Sequence, residues 1–207
     1  METPATADTV DVAVEAVLAG RVVVLPTDTV YGLCASPYRE EPVRRLYRLK
    51  GRNETQPTAL LASDVDMLLE CVPELRGRTA TILRALLPGP YTVVAANPAR
   101  RFRWLTGGRA DTIGLRVPAL TGVAAEVLER VSAVAATSAN LPGEGDPARV
   151  DQIPAEIRAG CAAVVDTGEL PGIASTVVDL TGPEPRVLRE GPVPASDVLE
   201  RVHAALD

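Results

Sequence analysis

The sequence predicts a mixed α/β fold, with helices packed on a twisted sheet. Three features carry that reading. Short apolar runs rich in β-branched residues recur at strand length, the first over residues 21–25. Stretches with apolar residues at helical spacing lie between them, the first over 8–19. Clusters of Gly, Pro and Asn separate the two kinds.

Along the chain, 8–19 reads as an amphipathic helix in which Val10, Val14, Val17 and Leu18 share a face, with Asp8 as cap and Gly20 as stop. The run 21–25 is a buried strand closed by Pro26, and 26–33 is a polar turn. A second helix covers 40–49, with arginines outside, and 50–57 is a loop because Gly51, Asn53 and Pro57 interrupt it. A strand at 58–62 precedes a short helix through Leu69 capped by Ser63, and Pro73 is expected to open another helix to Leu87. Strands follow at 91–96 and 112–117, separated by a basic loop with Trp104. Then come a helix over 122–130, a buried strand over 131–136, and a Pro/Gly-rich loop over 141–148. A short helix at 151–158, strands at 162–165, 176–180 and 186–188, and a last helix at 195–206 complete the pattern. No linker marks a boundary, so one domain over 1–207 is expected.

Composition narrows the chemistry. Aromatics are only 3% of 207 residues, so the core is built from Val, Leu, Ala and Ile. The one histidine is His203, which removes Ser-His-Asp and Cys-His nucleophilic sites and His-rich metal sites. Cys34, Cys71 and Cys161 are scattered and form no CxxC pair, which fits a reducing compartment; cytoplasm is the expected location. The N-terminus shows no basic residue ahead of an apolar run, so no secretory signal is expected, and no run is long enough to span a membrane.

The net charge of −6 argues against general nucleic-acid coating, yet the charge is uneven. Residues 39–116 hold 14 Lys+Arg against 8 Asp+Glu, a net of +6, and the remainder carries −12. A basic middle on an acidic chain suggests a local anion site, although arginines on solvated helix faces give the same count. Of 21 basic residues only Lys50 is lysine, which singles it out where a compact point charge is needed.

Four polar segments stand at element ends, where α/β folds collect ligand groups. In 26–33, Asp28 or Thr29 can bond a substrate amine or hydroxyl, or the same groups can serve the turn. Lys50 and Arg52 can converge on one phosphate, or cap a helix C-terminus. No P-loop and no GxGxxG fingerprint is present, so a nucleotide must be held differently. Thr137, Ser138 and Asn140 offer hydroxyls and an amide, or a turn. Ser175 and Arg189 approach each other if their strands form a hairpin across Gly182 and Pro183; otherwise Arg189 is a surface ion pair with Glu190 or Asp179.

The strings PTDTVYGL (26–33), LKGR (49–52), LLPGPYTVV (86–94), WLTGGRADTIGLRVP (104–118), TSANLPG (137–143), STVVDL (175–180) and VLREG (187–191) resemble, in order and spacing, the YrdC-like family of threonylcarbamoyl-AMP synthases. The resemblance implies an open, twisted mixed sheet with a basic central cleft, in the single-domain form of the family. It implies a reaction of L-threonine, bicarbonate and ATP, with Mg²⁺ carried on the phosphates and no protein-ligated metal. The product would pass to a separate threonylcarbamoyl transferase complex acting on tRNA, with direct tRNA contact open and no membrane partner.

By the same resemblance Thr29, Ser138 and Ser175 fall at threonine-site positions. Lys50, Arg52, Gln56, Thr112, Arg116, Asn140, Ala148 and Arg189 fall at ATP-site positions, Ala148 through its backbone, and Lys50 and Arg52 are the catalytic candidates. Such an active site needs no histidine, because positioning and cationic stabilisation of the transferring phosphoryl group suffice.

The chain departs from the family in Asn53, where the loop usually reads KxRP, and in Pro142, where Ser is usual. Leu61 stands where the long branch has His, although STVVDL is more typical of that branch. A YciO-like paralogue with different or no synthase activity is the nearest alternative. An RNA-binding module using the basic middle is another, short of aromatics for base stacking.

Overall fold

The computed structural model describes residues 7–207. Residues 1–6, which hold most of the stretch read for a targeting signal, and the Asp8 side chain read as a cap lie outside the described residues. Among the described residues no helix is long and apolar enough to cross a membrane.

Helix α1 (Ala7–Leu18) leads through Gly20, at φ +74°, into strand β1 (Val23–Pro26). Strand β2 (Tyr31–Ala35) follows directly, within and beyond the segment expected to be only a turn, and pairs antiparallel with β1. Helix α2 (Glu40–Lys50) ends at Gly51, whose φ of +65° is the left-handed cap that a Cβ would disfavour. Strand β3 (Ala59–Ala62) precedes α3 (Val65–Cys71). The cap of α3 is Asp64, whose carboxylate accepts from the Met67 amide; the Ser63 hydroxyl donates to that carboxylate instead of capping. Pro73 opens no helix. The chain first turns, Gly77 takes φ +52°, and α4 (Arg78–Leu86) starts there.

Strands β4 (Tyr91–Ala96) and β5 (Thr112–Arg116) flank the basic loop. Helix α5 (Gly122–Val131) feeds β6 (Ala133–Ser138), which extends through Thr137 and Ser138 rather than stopping before them. A 3-10 turn (Val150–Gln152) and α6 (Ala155–Gly160) replace the single helix expected there. Strands β7 (Ala163–Val164), β8 (Thr176–Asp179) and β9 (Arg186–Arg189) and helix α7 (Ala195–Ala204) complete the chain.

The strands form one open mixed sheet in the order β7-β1-β2-β6-β3-β5-β4-β8-β9, with helices on both faces. Because side chains alternate along a strand, each face is read from every second residue. One face buries Val24, Leu33, Leu60, Leu115 and Val178 under α2, α3, α4, α6 and α7. The other face buries Val23, Cys34, Leu61 and Val134 under α1 and α5. Those two helices cover only part of their face, and the uncovered part holds the cleft.

Candidate functional site

The cleft measures about 190 Å³. Its floor follows from small residues on the outward pleat. Gly32 on β2, Ala136 on β6 and Ala59 on β3 line it, and Thr92 on β4 borders it. Gly114 on β5 lies between the last two, since a Cβ there would meet Ala59 and Thr92. The walls come from connections: Thr27 and Val30, then Arg52, Pro57 and Thr58, then Asp146, Ala174 and Ser175, with Arg116 and Arg189 at strand ends.

The β1–β2 turn builds the first wall. Thr27 donates its hydroxyl proton to the Val30 carbonyl (2.7 Å) and accepts from the amides of Thr29 and Val30. Its only proton is therefore spent, so in the 3.0 Å contact between the two hydroxyls Thr29 must donate. The Thr29 hydroxyl in turn accepts from Arg116 Nη2 at 2.7 Å. Thr29 is wholly buried and satisfied, and supports Arg116 from behind. Arg116 also pairs with Asp28, whose second carboxylate oxygen accepts from the Ala119 amide. In these bonds Asp28 and Thr29 serve the turn and Arg116, as the turn reading of 26–33 has it.

The second wall centres on Lys50, which is 4% exposed. Its ammonium has three protons, and three oxygens take them: Ser138 O (2.6 Å), Asn140 O (2.8 Å) and Asn140 Oδ1 (2.7 Å). Asn140 Nδ2 donates to Glu144 O, which fixes the amide's orientation. Asn140 Oδ1 can only accept, so the Ser138 hydroxyl, 2.7 Å away, donates to it. Toward the cleft Ser138 can then offer only lone pairs, suited to an N–H or O–H of a ligand. Burial, and then the Arg52 cation, lower Lys50 to about 8.

Arg52 reaches the cleft itself, donating to Thr137 Oγ1 (2.8 Å) and Pro57 O (2.7 Å). The expected hairpin of β8 and β9 exists, and Arg189 donates to Ser175 O from both Nε and Nη2. The surface ion pair belongs to Arg186 with Asp179. Ser175 Oγ shares a 2.7 Å hydroxyl contact with Thr92 Oγ1. Among the described residues, the buried side-chain polar atoms without a partner are Nε of Arg52 and Nε of Arg116. Both residues line the cleft. Both unpaired atoms therefore belong to residues of one cleft, where buried polar groups are otherwise nearly always paired.

Of the residues picked from sequence, Arg52, Arg116, Ser138, Ser175 and Arg189 meet at the cleft. Thr29, Lys50 and Asn140 stand one layer behind it. Three do not reach it. Gln56 is exposed and outside the cleft lining, and its carbonyl accepts from Tyr47 Oη. Thr112 is at the opposite end of β5 from Arg116 and donates to Arg109 O. Ala148 is absent from the cleft lining, with its amide proton spent on Gln152 Oε1 and its carbonyl accepting from Leu170 N. Sequence reasoning missed Thr58, Thr92 and Asp146. For Thr92 the signal was present as a polar residue at an alternate, half-buried position of β4. Asp146, in an irregular loop, left none.

The molecule is thus an α/β protein with one open mixed sheet and an arginine- and hydroxyl-lined cleft on the uncovered face. The particular family follows from comparison: residues 15–191 match the Sua5_yciO_yrdC model, described as "Telomere recombination", and the chain belongs to that family. A Mycobacterium tuberculosis protein provisionally named threonylcarbamoyl-AMP synthase is 36% identical over 189 residues, covering 91% of this chain and 86% of that one. The Pyrococcus abyssi threonylcarbamoyl-AMP synthase is 31% identical, and the chain spans 56% of its length.

Among solved structures, P. abyssi Sua5 complexed with L-threonine superposes with a TM-score of 0.85 at 30% identity, over 93% of this chain and 56% of that one. E. coli YciO superposes with a TM-score of 0.79 at 27% identity, over 89% of this chain and 90% of that one.

Proposed function

We propose that this chain is an L-threonylcarbamoyladenylate synthase. The threonine amine would add to bicarbonate with loss of water, giving an N-carboxy adduct. A carboxylate oxygen of that adduct would attack the α-phosphorus of ATP while the bond to the β-phosphate oxygen breaks. The products are threonylcarbamoyl-AMP and pyrophosphate, with Mg²⁺ entering on the nucleotide. Such a mixed anhydride is a donor for a separate transferase, and tRNA N6-threonylcarbamoyladenosine formation is the expected use.

The observation that carries this reading is the gathering of three guanidinium groups, Arg52, Arg116 and Arg189, around one cleft, with the Nε of the first two left without a protein partner. Phosphoryl transfer needs cations placed where charge develops, and little proton transfer from protein. The acceptor-only Ser138 hydroxyl suits the amine side of the adduct. Likeness to relatives that carry the synthase name, one of them complexed with L-threonine, supports the same assignment.

The test is incubation of the protein with ATP, Mg²⁺, bicarbonate and threonine, serine or no amino acid, with pyrophosphate release and mass spectrometry as readouts. Threonine-dependent adenylate is expected, reduced at least about 100-fold in Arg52→Ala. Folded, ATP-binding protein that forms no adenylate would refute the proposal. It would favour a YciO-like role, which the near-complete overlay on E. coli YciO keeps in view.

A further inference from the structure

The cleft is closed on one side by a connection with no helix or strand of its own. Residues 165–175 join β7, at one edge of the sheet, to β8, the eighth strand in order. Seven inter-strand steps amount to about 34 Å along a sheet, and a chain of this length reaches at most about 40 Å. The strap therefore has little slack, and its path depends on the few places where it is pinned.

The Val165 amide donates to Val24 O, the Leu170 amide to Ala148 O, and the Gly172 amide to Thr29 O. Between the first and second, everything converges on one side chain. Tyr31 Oη lies 2.9 Å from Asp166 Oδ1 and 2.7 Å from Gly168 O, and accepts from the Thr167 amide at 3.1 Å. Asp166 Oδ1 also accepts from the Gly168 amide. The Tyr31 ring is fully buried at the start of β2, so the peg stands on the rigid sheet. Burial raises the phenol above its ordinary value, so it stays a donor at neutral pH. Downstream, the strap delivers Ala174 and Ser175 to the cleft wall.

We propose that Tyr31 is a positioning residue: its hydroxyl pegs the strap 165–175 to the sheet and thereby sets the Ser175 side of the cleft. Tyr31 does not line the cleft and touches no reacting atom. The inference rests on the synthase reading only for its kinetic consequence, that the amino-acid side of the site depends on this peg more than the nucleotide side does.

The experiment uses the full chain with Tyr31→Phe, which keeps the ring in the core and deletes the oxygen. Amide exchange, read by mass spectrometry without substrate, is expected to quicken at least tenfold from Thr167 through Ser175, with β1 and β2 unchanged. The KM for threonine is expected to rise about tenfold, with the KM for ATP within about threefold. Asp166→Ala should reproduce part of the effect, and the double variant should lose less than the sum of the two single effects, because the Tyr31–Asp166 contact is shared. Asp166→Asn keeps an acceptor for both donors and should stay near wild type.

Unchanged exchange over 167–175 in Tyr31→Phe overturns the proposal, as does an equal rise in both KM values. If the wild type forms no adenylate, the synthase reading fails. The exchange arm at Ser175 then decides the role of Tyr31 by itself.

Discussion

Arg116 and Asp28 have side chains each about 10% exposed, and each is the other's charged partner. Removing one partner of a buried pair strands the other, at a cost of about 3–5 kcal/mol. Arg116→Met is therefore expected to lower unfolding free energy by about that amount in urea titrations, and adding Asp28→Asn should recover part of it. No recovery would mean that Arg116 acts through packing or through Thr29 rather than through Asp28. Lys50 is the complementary case, a buried cation held by neutral oxygens with no carboxylate in ion-pair range among the described residues. Its value of about 8 lies below an unfolded lysine near 10.4. Between those two values the unfolded state binds more protons, so Lys50 makes stability rise with pH across that window. Wild type should gain on Lys50→Met from pH 8 to 10 in unfolding titrations, and a constant difference would remove the assignment.

At the scale of elements, the hairpin of β8 and β9 holds the far wall, and Gly191 sets how tightly the chain beyond it packs. A Cβ on Gly191 would fall against the Ala174 carbonyl oxygen and within 2.5 Å of Thr176 N. Both neighbours are backbone, so neither can turn aside. Gly191→Ala is expected to cost at least the about 1–3 kcal/mol of an overpacked site and to weaken threonine use. A melting temperature and threonine KM both at the wild-type level would count against this close approach.

Much of this architecture was legible because strand and helix periods are strong signals. The strand at 91–96, the helix start at Glu40 and the hairpin that brings Arg189 to Ser175 all follow from pattern. Strand β2 was not legible, since Gly32, Cys34 and Ala35 are weak strand formers and the segment opens on a polar turn. The start of α4 was missed because Pro73 looks like a first-turn proline while the left-handed Gly77 sets the boundary. For the site, motif resemblance placed Gln56, Thr112 and Ala148 by segment alone, and none of the three lines the cleft. It could not say which way a side chain points or that a backbone amide was already taken.

For the whole molecule, charge decides between a small anion and a long one. The chain carries −6 overall, with +6 gathered in residues 39–116 and the excess acid elsewhere. A polyanion laid on the basic region would also meet acidic surface, whereas a single nucleotide in a cleft feels mainly Arg52, Arg116 and Arg189. The two cases differ steeply in salt. A nucleic acid footprint of about 6–10 phosphates loses about 10³–10⁵ in affinity between 50 and 200 mM salt. A nucleotide held in a partly enclosed cleft by three guanidinium groups is screened far less. Over that range the KM for ATP is expected to change by less than about threefold. Arg189→Gln, at the exposed rim, should raise that KM about tenfold at both salt concentrations, because it removes a local charge-assisted contact rather than a long-range field. A steep loss with salt, together with indifference to Arg189→Gln, would instead point to a polyanion bound along the basic segment and not to a nucleotide in the cleft.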